Sequence, residues 1–276
     1  MAPHQVTDTA QHGPDGRWKG RLTSRPLPEY DPEIKALTPD QRAELVAVWL
    51  GRAASERRVA DAFVVVRQAL VDGGSAESLV ALATRAVDDE YRHAELARVV
   101  AERFAGQPLQ PPAQLSLVVP RHPGASPELL RLLHVLGHCA LNETFASAFL
   151  EATLSLTTAP LARAALRELL ADEVDHARIG WGQLASLDAA SRSALVPWLV
   201  PLVRGNLSMW RSTPRPYPKD PTLHRHGAPP AELIERTLVD AIEQLVIPGF
   251  EYFGLPCEEL RAFHAQGAPT PCYTIT

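Results

Sequence analysis

The chain has 276 residues, 46% of them hydrophobic, and a formal net charge of -5, which suits one large domain with accessories and a sizeable buried core. No dense Lys/Arg run is present, which argues against a nucleic-acid or membrane surface and leaves small molecules as the expected partners. Cys139, Cys257 and Cys272 form no C-x-x-C pair and are odd in number, so neither a disulfide framework nor a thiolate iron site is expected; with a polar N-terminus and no apolar stretch suited to a bilayer, the expected location is the cytoplasm.

In chain order, residues 1–37 are rich in Pro, Gly, Arg and Asp without periodicity and predict a flexible N-terminal arm. Thr38-Pro39-Asp40-Gln41 is a capping box with proline at the first helical position, and it opens a helix that stops at Asp72-Gly73-Gly74. Its seam runs Leu45, Trp49, Arg52, Glu56, Val59, Phe63, Val66, Leu70 in steps of four and three, with Glu56 at the centre. Ser75 is the expected cap of a second helix, whose seam reads Leu79, Ala83, Ala86, Glu90, His93, Ala97, Val100, Phe104 and which ends near Gly106. A proline-rich crossover leads to Ser126-Pro127-Glu128, the start of a third helix with the seam Leu132, Leu136, Cys139, Glu143, Ala146, Leu150. The fourth begins near Pro160 and carries Leu166, Leu169, Glu173, His176, Gly180, Gln183, Leu187.

The pattern across these helices is Glu, Glu-x-x-His, Glu, Glu-x-x-His. Asp89-Glu90-Tyr91-Arg92-His93-Ala94 and Asp172-Glu173-Val174-Asp175-His176-Ala177 share the form Asp-Glu-x-x-His-Ala, and each lone glutamate stands about thirty residues before its motif, an internal repeat of a helix pair. Residues three apart share a helix face, so each motif aims a carboxylate and an imidazole at one point on the core-facing seam. An ionised carboxylate there needs a counter-charge, and no Lys lies on either motif seam, so a bound cation is the expected partner. A four-helix bundle built on this pattern holds two metal ions.

Beyond the bundle, expected at 38–188, residues 189–276 form a helical extension packed on it. It starts with a helix kinked at Pro197 and Pro201 and running towards Trp210, continues through a proline-rich loop at 212–230, and holds an amphipathic helix over about 231–247. These elements would cap an end of the bundle or form the interface of a homodimer.

The two motifs and the two interleaved glutamates resemble the ferritin-like di-iron carboxylate superfamily over about residues 40–187. The resemblance implies an all-α, ferritin-like four-helix bundle with one long crossover plus extra C-terminal helices. It implies two Fe ions, or alternatively two Mn ions, held by Glu56, Glu90, His93, Glu143, Glu173 and His176, with Glu90 and Glu173 bridging. Similarity to the ribonucleotide reductase small subunit and to multicomponent monooxygenases implies that Asp89 supports His176 and Asp172 supports His93, and makes Ser147 a candidate proton relay. The implied function is an oxidoreductase that uses O2 as co-substrate and an external electron donor to oxygenate or oxidise a small organic molecule; ferritin-type iron oxidation and storage, and manganese catalase, are the alternatives.

The departures are specific. No C-x-x-C accompanies the bundle, unlike rubrerythrin, and Leu169 stands where the p-aminobenzoate N-oxygenase group has an additional His four positions before the motif glutamate. Arg52 is read as snorkelling to the bundle end, with a substrate carboxylate as its alternative partner. On a helix of 3.6 residues per turn His138 lies about 140° from Glu143, so His134 and His138 are assigned to packing or surface roles. Cys139 is read as a small core residue, and His224 and His226 as loop surface.

Overall fold

The computed structural model describes Trp18 and residues 20–267; the first seventeen residues of the arm, Lys19 and residues 268–276 with Cys272 lie outside them. The described residues are all-helical, with no extended strand. None of their helices is long and apolar enough to cross a membrane.

Four long rods carry the motif residues. Helix α1 (Pro32–Ala36) is a single turn, α2 spans Pro39–Asp72, and α3 spans Glu77–Ala105. The predicted capping box forms: Thr38 Oγ1 accepts from Gln41 N, and Gln41 Oε1 accepts from Thr38 N. Ser75, in contrast, caps nothing; the residue before α3 is Ala76, without a side-chain cap. Gly106, with φ at +70°, ends α3 in the left-handed conformation that glycine adopts without strain. The crossover at 107–126 has no helix. Ser126 Oγ then caps α4 (Pro127–Val135), accepting from Leu129 N.

The third rod departs from the predicted seam. Between α4 and α5 (Glu143–Leu156), residues Leu136–Asn142 form a π-helical segment, in which Glu143 N donates to His138 O five residues back. It lies against α6 (Pro160–Ala185), and the close approach depends on Gly180. A Cβ at Gly180 would stand 2.2 Å from Ala140 N, a backbone atom that cannot move aside alone. Gly180→Ala is therefore expected to cost about 1–3 kcal/mol or more, read as a lower midpoint in denaturant; an unchanged midpoint would mean that the π segment does not rest on α6.

The extension runs through α7 (Ala189–Leu195), a 3-10 turn at Val196–Trp198 where Pro197 interrupts the helix, and α8 (Leu199–Ser212). After the short α9 (Pro221–His224), α10 (Ala231–Ala241) passes through a second π turn, Ile242–Val246, into α11 (Ile247–Tyr252), and α12 (Glu258–Ala265) follows. Leu199, Leu202, Leu207, Leu238, Ile242 and Phe250 join Leu136, Leu141 and Phe145 in one core, so the extension is packed on the third rod. The predicted surface position of His226 is wrong: it is 2% exposed, because Gly227, at φ +80°, presses the loop onto Trp49, whose Nε1 donates to His226 O at 3.1 Å.

The described part of the arm is pinned. Ser24 N and Oγ donate to Glu168 at 2.7 and 2.6 Å, Arg103 Nη1 donates to Glu29 O at 2.7 Å, and Asp31 Oδ2 accepts from Leu161 N in the first turn of α6. Cys139 is a buried free thiol, in line with its reading as a small core residue, and Cys257 is buried and free as well.

Candidate metal centre

The two motif helices place their polar residues in a layer between two apolar clusters. On α3, Ala83 and Ala86 belong to one cluster and Ala97 and Val100 to the other; on α6, Ile179 and Leu169 divide the same way. In the layer between them, Glu90 and His93 are 0% exposed, and Glu143, Glu173 and His176 are equally enclosed. Glu90, Glu143, Glu173 and His176 each offer a ligand atom within 4.8 Å of the others, a geometry that could hold a metal ion. His93 joins them, with Nδ1 3.5 Å from Glu90 Oε2 and 3.6 Å from Glu173 Oε1. Glu56 borders the same cavity as Glu143 and Glu173, so the structure brings all six sequence-predicted residues to one region.

The outward ring atoms decide what the inward ones can do. His93 Nε2 lies 3.1 Å from Asp172 Oδ2, and His176 Nε2 lies 3.5 Å from Asp89 Oδ2. A carboxylate only accepts, so each Nε2 directs its proton outward, and whenever the ring is neutral its Nδ1 points inward as a lone pair. Those lone pairs face carboxylate oxygens: His176 Nδ1 is 3.0 Å from Glu90 Oε1. Both Glu90 oxygens and His93 Nδ1 are buried without a hydrogen-bond partner. Acceptor facing acceptor in a dry interior is unfavourable unless a cation lies between them. Without metal that cation is a proton: although burial works against it, Asp172, Glu90 and Glu173 raise His93 to about 10. Donor types and unpartnered atoms therefore fit a metal site.

The remaining carboxylates are strained in the same sense. Burial, then the charges of Glu90 and Glu173, push Glu56 up to about 8; burial and Glu173 push Glu143 well above the usual carboxylate range. Asp172 goes the other way, to about 2, because His93 and Arg92 outweigh its burial. Arg92 is a residue the spacing did not single out. Its guanidinium bonds Asp172 and reaches Asp89 at 3.3 Å, while Nη1 donates to Leu22 O, tying the arm to both supporting aspartates. Asp175, fourth in its motif, turns outward to Arg85 at 2.7 Å and to Arg178.

The π segment overturns the orientation predicted for His138, though its ring still packs on Phe63. An i to i+5 hydrogen-bond pattern stacks residues five apart, where an α-helix would separate them by about 140°. His138 Nε2 consequently sits 3.2 Å from Glu143 Oε1, buried and without a hydrogen-bond partner, with its ring edge-on to Phe63. Burial, with the neighbouring His176 charge, lowers it to about 3, so it is a neutral imidazole and a third one facing the cluster. Glu143 is steadied from its other side: Asn142 Nδ2 donates to Glu143 Oε1 at 2.9 Å, and Trp210 Nε1 donates to Asn142 Oδ1 at 2.9 Å. His134, by comparison, bonds Pro120 O on the crossover, in line with a packing role. Ser147 Oγ is buried without a partner and does not border the cavity.

That cavity, of about 150 Å³, opens beside Glu56, Glu143 and Glu173. Arg52 is not at the bundle end; it lies along the cavity wall over the Trp49 ring, 4.6 Å from its centroid. A second, largely apolar cavity of about 210 Å³ is bordered by His138 together with Val66, Val118 and Leu202. Scanned against models of known protein families and against curated proteins, the sequence gives no match.

Proposed function

We propose that the protein is a ferritin-like oxidoreductase that holds two iron ions and uses O2 to oxygenate or oxidise a small organic molecule. The observation carrying this reading is that both Glu90 oxygens and His93 Nδ1 are buried without a hydrogen-bond partner, beside two imidazoles whose outward nitrogens face Asp89 and Asp172. Glu56, Glu90, His93, Glu143, Glu173 and His176 are the residues that would hold the ions. When bound, two such ions supply redox equivalents for oxygen chemistry at one site.

The chain's own residues do the rest. Asp89 and Asp172 keep each Nε2 protonated, so that Nδ1 remains a ligand atom; His93 and Arg92 hold Asp172 ionised, and His176 does so for Asp89. Asn142 and Trp210 fix the rotamer of Glu143. Glu56, half-buried and bordering the cavity, is the carboxylate best placed to take up or release a proton next to a substrate. Phe63, Leu169 and Ile179 close the cluster from water on its apolar sides. Inserting one oxygen atom of O2 leaves the other as water, so two electrons and two protons must arrive from an external donor.

A cavity with an aromatic and apolar wall beside the carboxylates favours an organic substrate over mineral storage. Oxygen uptake by protein loaded anaerobically with Fe(II), with and without a chemical reductant, tests this. Reductant-dependent uptake without a mineral core supports it. Iron accumulating far beyond two ions per chain would make storage the function, and rapid peroxide disproportionation by the manganese-loaded protein would make it a catalase.

A further inference from the structure

The cavity beside the cluster has a charge pattern that the metal ligands do not use. Three guanidiniums border it, Arg52 and Arg58 from α2 and Arg215 from the loop after α8. Arg52 is stacked on Trp49 and Arg215 on Trp210, so both are held in place rather than waving in solvent. Arg52 Nη1 is buried without a hydrogen-bond partner, while the ion pairs of neighbouring arginines are made elsewhere, by Arg85, Arg92 and Arg98.

In the metal-free chain the nearby negative charge is that of the cluster glutamates. Two divalent cations would cancel those four carboxylates, leaving Arg52, Arg58 and Arg215 around a small, partly closed space whose described lining holds no other carboxylate. Phe149, Leu150 and the Trp210 ring supply an apolar stretch of the remaining wall, which Ser55, Thr213 and Tyr217 interrupt. At about 150 Å³ the cavity is smaller than the roughly 300–1,000 Å³ of sites for drug-sized ligands.

We infer that the substrate is a small organic carboxylate, its carboxylate bound by Arg52 and Arg215 and its apolar body held between Phe149 and Trp210 next to the metal centre. A planar guanidinium matches a carboxylate in a paired, charge-assisted hydrogen bond, which a neutral amide of the same shape cannot reproduce. This inference rests on the two-metal reading of the cluster.

Tryptophan fluorescence titration of the metal-loaded full chain tests it, using hexanoate and benzoate as probes, each beside its own amide, with the metal content of every sample counted. The expected result is binding of at least one acid about tenfold or more tighter than its amide, and loss of that preference in Arg52→Gln with two metal ions per chain retained. Metal-loaded wild-type protein that binds acid and amide alike, or neither, overturns the substrate class and leaves the metal centre standing. Wild-type protein that takes up no metal overturns the two-metal reading and this inference with it. The acid-against-amide comparison uses wild-type protein, so it holds even where Arg52→Gln fails to fold.

Discussion

Glu143→Gln is expected to remove metal binding while making the metal-free protein more stable. The amide keeps the shape of the carboxyl and an oxygen to accept from Asn142 Nδ2. It removes an acid whose ionisation is disfavoured by burial first and then by Glu173 and Glu90. A carboxyl whose folded pKa is raised binds a proton more tightly in the folded than in the unfolded chain, so its stabilising contribution is complete below the unfolded value and fades as pH rises. At pH 7 the metal-free fold must either hold that proton or bury the charge; glutamine does neither. The melting temperature of metal-free Glu143→Gln should therefore exceed that of the parent at pH 7, and the difference should vanish below about pH 4, where the acid is protonated in both states. Metal affinity should fall by more than the roughly 10- to 100-fold typical of losing an outer partner, since a donor itself is lost. A variant that melts lower at pH 7 and still binds metal as tightly would show that Glu143 serves the fold.

The supporting aspartates give the second large effect. Asp172→Asn keeps the size of the side chain but removes the charge that holds the outer proton of His93, and Asp89→Asn does the same to His176. Each should lower metal affinity by about 10- to 100-fold. Asp172 carries the shorter contact to its histidine, 3.1 Å against 3.5 Å, so its loss should be the greater. Asp175→Asn is the control: its partners Arg85 and Arg178 are solvent-facing, and exposed ion pairs contribute about 0–1 kcal/mol. Equal, negligible losses in all three variants would reduce Asp89 and Asp172 to surface acids.

What the sequence made legible is what regular helical periodicity encodes. Glu56, Glu90, His93, Glu173 and His176 lie on α-helices whose four/three spacing puts them on the inward seam, and the Thr38 box and Ser126 cap state where the first and third rods begin. Glu143 is found by the same rule and faces the cluster, but through a different backbone, since the π segment ends at Asn142, immediately before it. That is why His138 was misassigned: a phase computed at 3.6 residues per turn is wrong across a turn bonded five residues back. Asn142 and Trp210 were invisible for another reason, since their hydrogen bond joins residues 68 apart in sequence through the extension. Arg92 is a long side chain whose partners Asp172 and Leu22 depend on which segments face each other, and local spacing does not carry that. The burial of His226 follows from a loop pressed down by Trp49, again a contact between distant segments.

The central claim is that the buried Glu/His layer is a two-ion site. Anaerobic equilibrium dialysis of the full chain against Fe(II), with bound metal counted per chain, tests it most directly. The account predicts two ions per wild-type chain and a sharp loss in Glu143→Gln. One ion or none in the wild type, or the same uptake in both proteins, would contradict it.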